Sequence, residues 1–436
     1  MAARTLEALD ALARRRTLGL ALVLALALVV RVAAVAATPD YEPFSDALDY
    51  ERHAVSLSAG DGWPTPSLIA LGSEETAVRP PVYPLLLGVT YAVSGDSRTV
   101  GRLLLGAGMG VLLVLLLFLL AELVWGRRVA VATGLIAAVF PPLVLLSIPL
   151  LNESTFLVFE VGAVLTTLLT VRSGGSLRWA AATGLLCGLA MLTRSNGTLL
   201  PFLLAVPMLL AGAPGARRLA APAVMAVLIA LTLVPWTVRN HDAFGDFVPL
   251  NTQTGYAAAG VMNDEARADD GEWGVPVESD RYRGIYTDRS LDEADVDREA
   301  RRLAVEYAFD HPGYVAKVAG LSLVRSLEFA DTDLEGPDRR LLGLGHGGAR
   351  LAKWSFWLSV LAAAYGALAL MCGYLNRRGP LWIWAVPVAL FLAGATVVGL
   401  TRYRAPLYPF LVLLAGIGVV AWLERAVSRP PPQAGS

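Results

Sequence analysis

Carboxylates and arginines gather where this sequence leaves or enters its long apolar runs. The stretch PDYEPFSDALDYERHA places Asp40, Glu42, Asp46, Asp49 and Glu51 directly after the first such run. If ALDYERHAVSL is helical with Ser45 as its cap, then Asp46, Asp49 and Tyr50 share one face at i, i+3 and i+4. Glu153 in PLLNESTF, with Asn152 beside it, opens a later apolar run. Five arginines stand at comparable boundaries: Arg79, Arg194, Arg239, Arg402 and Arg404, neighboured by Tyr83, Asn240 and Tyr403. Each group alone has an ordinary explanation. Acids in a first helical turn gain about 0.3–1 kcal/mol from the helix dipole, and arginines at membrane boundaries extend towards headgroups. Five guanidinium groups on one side suit an anion better, above all a phosphate gripped by paired donors.

Together these groups suggest a reaction. One carboxylate takes a proton from an acceptor hydroxyl while arginines stabilise a departing phosphate. A phosphate monoester leaves as a stable anion, so no general acid is demanded. No metal site is expected from the histidines: His53, His241, His311 and His346 are scattered, without HxxxH or HExxH spacing. GxxxxGK[ST], GxSxG and a strand-linked GxGxxG are absent. The acidic stretch NDEARADDGEWGVPVESD lacks EF-hand spacing and reads as a solvated loop. No cofactor is required by this chemistry; a divalent metal stays open.

The elements that would hold these groups are membrane helices. The 436 residues are 55% hydrophobic and only 17% charged, with mean hydropathy +0.55, which excludes an ordinary soluble domain of this size. A net charge of −1 gives no sign of a nucleic-acid partner. Cys187 and Cys372 lie in apolar runs and read as reduced packing residues. About ten spans are predicted, at 17–37, 99–124, 127–148, 153–171, 178–193, 197–212, 217–237, 351–374, 380–400 and 403–424. The first reads as an uncleaved anchor rather than a signal peptide. Segment 82–95 is too short to span comfortably, and Pro84 and Gly88 weaken it further. Counting it as interfacial puts GRR 126–128, RSGGSLR 172–178, GARR 215–218, NRRG 376–379 and both termini inside, the positive-inside arrangement. The expected organisation is an all-α polytopic membrane protein. Residues 1–237 form a catalytic module with an outer loop at 38–98, 238–350 a second extracytoplasmic loop, 351–427 the C-terminal helices, and 428–436 a disordered tail. In the second loop, DVDREARRLAVEYAFDHPGYVAKVAGLSLVRSLEF predicts two helices broken at His311-Pro312. The second carries Val315, Val318, Leu321, Val324 and Leu327 as a stripe towards the outer leaflet.

In chain order, SDALDY, RPPVYPLLLGVTYAVSG, LLNESTF, GLAMLTRSNG, PWTVRN and TRYRAPLYPFLVLLAG resemble the GT-C membrane glycosyltransferases. The resemblance is to the bacterial branch related to protein O-mannosyltransferases and lipid A aminoarabinose transferases (glycosyltransferase family 39-like). It implies a GT-C fold in a bacterial inner membrane, with the active site on the extracytoplasmic face. The implied activity is inverting transfer from a polyprenyl-phosphate sugar to a glycan, glycolipid or protein hydroxyl. Asp46 resembles the family's catalytic base, with Tyr50 completing D-x-x-x-Y, and Arg79 resembles the residue that meets the carrier phosphate. Ala47 stands where the mannosyltransferase relatives have a second acid, so Asp46 and Asp49 both remain candidates for the base. Val78 stands where the aminoarabinose branch has a metal-holding carboxylate, so no metal is carried over. On this reading Arg402, Arg404, Arg194 and Arg239 complete the phosphate cavity and Glu153 orients sugar or acceptor, with Asp49, Tyr50, Asn152, Tyr83, Asn240 and Tyr403 lining it. The alternatives are a transporter or flippase for polyprenyl-linked sugars, and an oligosaccharide transferase using a diphosphate carrier.

Overall fold

The computed structural model describes residues 1–64, 67, 69–211, 218–329, 346–373, 379–396 and 399–428. Among them there are helices, turns and bends but no strands. Six helices are long and apolar enough to cross a membrane: Arg16–Ala36, Arg98–Trp125, Glu153–Arg172, Ala220–Phe244, His346–Met371 and Thr401–Ser428. Val82–Ser94, Leu177–Met191, Ser195–Ala211 and Trp382–Ala395 are shorter apolar helices. The chain is a helical membrane protein. The expected tail and most of the turns at 215–218 and 376–379 fall outside the described residues.

The span expected at 127–148 is interrupted. One helix runs Arg127–Val139, Phe140 is extended, and a second short helix is Pro141–Leu145. The two prolines account for the break, because Pro141 forces the residue before it out of the helical region. Carbonyls left open at that helix end meet Arg31, a fully buried residue of the first span. It donates to Ala137 and Ala138 oxygens at 3.1 and 3.0 Å. Near the other end of the chain, a side-chain carbon at Gly366 would collide with the Leu414 carbonyl. Glycine there lets the His346–Met371 and Tyr408–Ser428 helices approach backbone to backbone.

The first outer loop forms the helix Asp46–Ala59, lying on the 13-residue Val82–Ser94 helix. Their interface contains Ala47, Tyr50, Ala54, Tyr83, Leu87 and Tyr91. At 1.5 Å per residue the second helix is about 20 Å long, short of a bilayer core. Ser45 differs from expectation: it stands at the N-cap position with φ 52° and makes no side-chain cap. Two staples fix the loop instead. The Tyr41 hydroxyl accepts from Leu150 N at 3.1 Å. Arg102 donates to Thr38 O at 2.9 Å and Ile148 O at 2.6 Å while stacking on Tyr41. These bonds bring the start of the Asp46 helix to the turn before Glu153.

The second loop contains Glu293–Asp310 and Pro312–Ser326, with Asp292 capping the first and Pro312 in the first turn of the second. On the second helix Tyr314, Val318, Ser322 and Ser326 are buried against protein; of the predicted stripe, Val318 is among them and Val324 is exposed. A side-chain carbon at Gly399 would meet Ser322 and Arg325, so this helix packs on protein beside the last spans rather than solely on lipid. Cys187 is buried as expected, but Cys372 is exposed on its helix end.

Candidate active site

Asp46 and Asp49 both project from the first turn of their helix towards Arg79, as the i, i+3 spacing dictates. Arg79 Nη2 lies 2.6 Å from Asp46 Oδ1, and Arg79 Nε lies 2.6 Å from Asp49 Oδ2. The other oxygen of Asp46 accepts from Arg402. Arg402 in turn faces Glu153 at 3.7 Å, and Glu153 accepts from Arg194 at 2.5 Å. The result is a line of alternating charge: Asp49, Arg79, Asp46, Arg402, Glu153, Arg194. Three carboxylates and three guanidinium groups balance. Glu153 is the most enclosed, its side chain 1% exposed, and its Oε2 has no hydrogen-bond partner among the described residues.

Aromatic and amide groups frame the line. Arg79 lies over the Tyr50 ring at 5.0 Å, and Tyr50 meets Tyr83 edge-on at 4.9 Å. Asn152 Nδ2 donates to the Tyr50 hydroxyl and to Thr193 O, each at 2.7 Å. Tyr403 lies beneath both Arg194 and Arg402. Val82 N donates to Leu192 O at 3.0 Å, tying the Arg79 segment to the Arg194 segment.

Charge sets the proton affinities. Burial pushes the Asp46 carboxyl up, but Arg402 and Arg79 outweigh it and hold the group well below the usual carboxylate range. Burial opposes the charge on Arg79, yet Asp46, Tyr50 and Asp49 keep it more firmly protonated than an ordinary arginine. Burial pushes the Tyr50 phenol up to about 12. In this arrangement Asp46 is ionised but electrostatically quenched, and displacing either arginine would restore its basicity.

The expected convergence of all five arginines is not what forms. Arg404 turns away into a buried ion pair with Glu328, donates from Nε to the Tyr408 hydroxyl at 2.9 Å, and stacks 4.1 Å from Phe356. The turn Thr401–Leu407 is a 3₁₀ helix. Residues two apart on three-per-turn geometry point about 120° from each other, so Arg402 and Arg404 cannot face one cavity. Arg239 joins Glu75 at 2.5 Å and Thr76 O at 2.9 Å, and lies over Trp63 and Trp236. Asn240 is fully buried and donates to Val248 O at 2.9 Å, holding the loop start.

Sequence reasoning missed His53 and Trp63. His53 bonds the Asp49 carbonyl at 2.7 Å and packs against Trp63, linking the Asp46 helix to the Arg239 group. The i, i+4 step from Asp49 to His53 was the available signal. A cleft of about 1020 Å³ lies on the opposite side of the Asp46 helix, among Glu42, Glu51, Arg52, Asp61, Trp63 and Arg98. None of the six charged groups lines it.

Residues 78–238 match the family model described as dolichyl-phosphate-mannose-protein mannosyltransferase. That stretch includes Arg79, Glu153 and Arg194, while Asp46 and Arg402 lie outside it. Among solved structures, the archaeal oligosaccharyltransferase AglB from Archaeoglobus fulgidus, in complex with an inhibitory peptide and a dolichol-phosphate, aligns with TM-score 0.57. The alignment has 15% identity over 95% of this chain and 53% of that one. The same oligosaccharyltransferase tethered to an acceptor peptide aligns with TM-score 0.54 and 15% identity over 93% and 50%. The fold is GT-C. The chain spans about half the length of these structures. ArnT from Cupriavidus metallidurans bound to undecaprenyl phosphate aligns less closely, with TM-score 0.44 and 18% identity over 92% and 77%. Among curated proteins no match is found.

Proposed function

We propose that the chain is an inverting glycosyltransferase that moves a sugar from a polyprenyl-phosphate carrier to an acceptor hydroxyl on the extracytoplasmic face of a bacterial inner membrane. The observation that carries this reading is Asp46 held between Arg79 and Arg402. A carrier phosphate entering beside the two guanidinium groups competes with Asp46 for their donors. The carboxylate then regains basicity where an acceptor hydroxyl arrives. Asp46 takes the acceptor proton, the acceptor oxygen bonds to the anomeric carbon, and the anomeric C–O bond breaks with its electrons going to the phosphate oxygen. Arg79 and Arg402 hold the departing polyprenyl phosphate, and configuration inverts. Glu153, fixed by Arg194, orients the sugar. Arg404 and Arg239 have supporting rather than phosphate-binding roles in this scheme.

The test uses reconstituted vesicles supplied with a panel of radiolabelled polyprenyl-phosphate sugars. Wild type is expected to release free polyprenyl phosphate from one donor, and Asp46→Asn and Arg402→Ala to release little. Wild-type movement of donors between leaflets without phosphate release would replace the transferase with a flippase. Retained turnover in Asp46→Asn would remove Asp46 as the base.

A further inference from the structure

The acidic stretch read as a solvated loop contains Trp273, and its indole sits beside a neighbour of the charged line. The segment leading to Tyr256 is laced across that line's rim. Asn251 donates to Ser195 Oγ at 2.7 Å, next to Arg194. Thr252 N donates to Ala77 O at 3.2 Å, two residues before Arg79. Buried Glu293 gathers Ala77 N at 2.7 Å together with the Ser67 and Thr252 hydroxyls, joining both outer loops at this point. Gly255 N donates to Asp297 at 2.5 Å, fixing the first turn of the helix Thr254–Ala259 that carries Tyr256.

The Tyr256 helix therefore starts two residues after the bond that ties Thr252 to the Arg79 segment. Burial pushes the Tyr256 phenol up, and the charges of Arg79 and Asp46 both act on it. Its ring lies 5.5 Å from Trp273 at 56°, with Tyr286 behind it at 5.8 Å. The indole rests directly on Gly260, where any side chain would collide with it, and Gly274 N donates to Gly260 O at 2.9 Å. Trp273 is nonetheless 37% exposed. Neither the Tyr256 hydroxyl nor the Trp273 indole N–H has a hydrogen-bond partner among the described residues. The N–H edge of the indole is turned onto Gly260, so its exposed face and the Tyr256 ring and hydroxyl are what remain to meet the apolar face and hydroxyl rim of a pyranose.

We infer that Tyr256 and Trp273 form a sugar-stacking platform at the rim of the Asp46 site, taking a pyranose ring of either the donor or the acceptor. This rests on the transferase reading. It assigns sugar recognition to the second outer loop and leaves the carrier phosphate to Arg79 and Arg402.

Wild type, Trp273→Ala, Tyr256→Ala and Tyr256→Phe would be titrated in detergent with the turned-over undecaprenyl-phosphate sugar and with bare undecaprenyl phosphate. A donor platform predicts about tenfold weaker binding of the sugar-bearing lipid in both alanine variants, with the bare lipid unchanged. Tyr256→Phe would lose less, because it keeps the stacking face. An acceptor platform predicts unchanged binding of both lipids and about a tenfold rise in KM for an oligosaccharide acceptor, with kcat retained. Variants that match wild type in every arm would overturn the platform while leaving the transferase reading standing. A wild type that turns over no sugar lipid and binds sugar-bearing and bare lipid alike would overturn the transferase reading and the platform with it.

Discussion

Arg402 is bonded to Asp46 across 356 residues of chain, and the same guanidinium faces Glu153. The last membrane helix thereby reaches into a site otherwise built from the first half of the protein. Arg402 is shared between two carboxylates, so its loss would leave Asp46 to Arg79 alone and Glu153 to Arg194 alone.

Asp46 and Asp49 are separable by mutation. Asp46 touches two arginines, whereas Asp49 touches Arg79 and the Nδ1 edge of His53. Asp46→Asn is expected to lower transfer by roughly 10²–10⁴-fold, the usual worth of a general base. Asp49→Asn should cost much less and mainly raise donor KM, through a loosened Arg79. Initial rates of polyprenyl-phosphate release measure both, and a larger loss in Asp49→Asn than in Asp46→Asn would transfer the role of base to Asp49.

Arg402→Lys should behave almost as poorly as Arg402→Ala. A single ammonium lacks the forked donors that meet Asp46 and Glu153 together. Competition by bare undecaprenyl phosphate reports this directly. A lysine variant with near wild-type affinity would show that only net charge matters.

The Arg404–Glu328 pair should act through fold rather than chemistry. Both side chains are almost fully enclosed, and removing one partner of such a pair typically costs about 3–5 kcal/mol. Glu328→Ala is expected to lower the Tm in detergent and weaken donor binding, because Arg404 shares its turn with Arg402. Replacing Glu328 and Arg404 together by leucine should recover much of the Tm. An unchanged Tm in the single variant would contradict the positioning role.

Acidity gives an independent check on Asp46. Its folded-state pKa is depressed, so its ion pairs stabilise the protein above the unfolded value of about 3.9 and are lost as pH falls through the lower folded value. Between pH 5 and 8 this contribution should be flat. Arg402→Ala removes one of the two charges that hold the Asp46 carboxyl down, so the acid limb of its residual activity should move upwards. Rate-against-pH profiles of the two proteins make the comparison.

The local geometry of the first outer loop was legible because helical spacing is a short-range rule: Asp46, Asp49 and Tyr50 could be put on one face from their numbers alone. Long apolar helices, the short helix at 82–94 and the break at His311-Pro312 followed from apolar length and proline. Arg402 and Arg404 were harder. An RYR triplet looks like one basic patch, and only the 3₁₀ turn separates its two ends. The destination of Glu328 and the lacing of Thr252 onto Ala77 depend on loop closure over long sequence separations. Hydrophobic periodicity carries no information about them.

Arg402 follows Asp46 by 356 residues, and this has a consequence for biosynthesis. During synthesis, Asp46 and Glu153 are made long before the guanidinium that neutralises them. Until residue 402 leaves the ribosome, the growing protein has Asp49, Asp46 and Glu153 with only Arg79 and Arg194 as local countercharges. The charged line is completed only once the Thr401–Leu407 turn has been made, so a chain halted before it would hold Asp46 and Glu153 without the guanidinium they share.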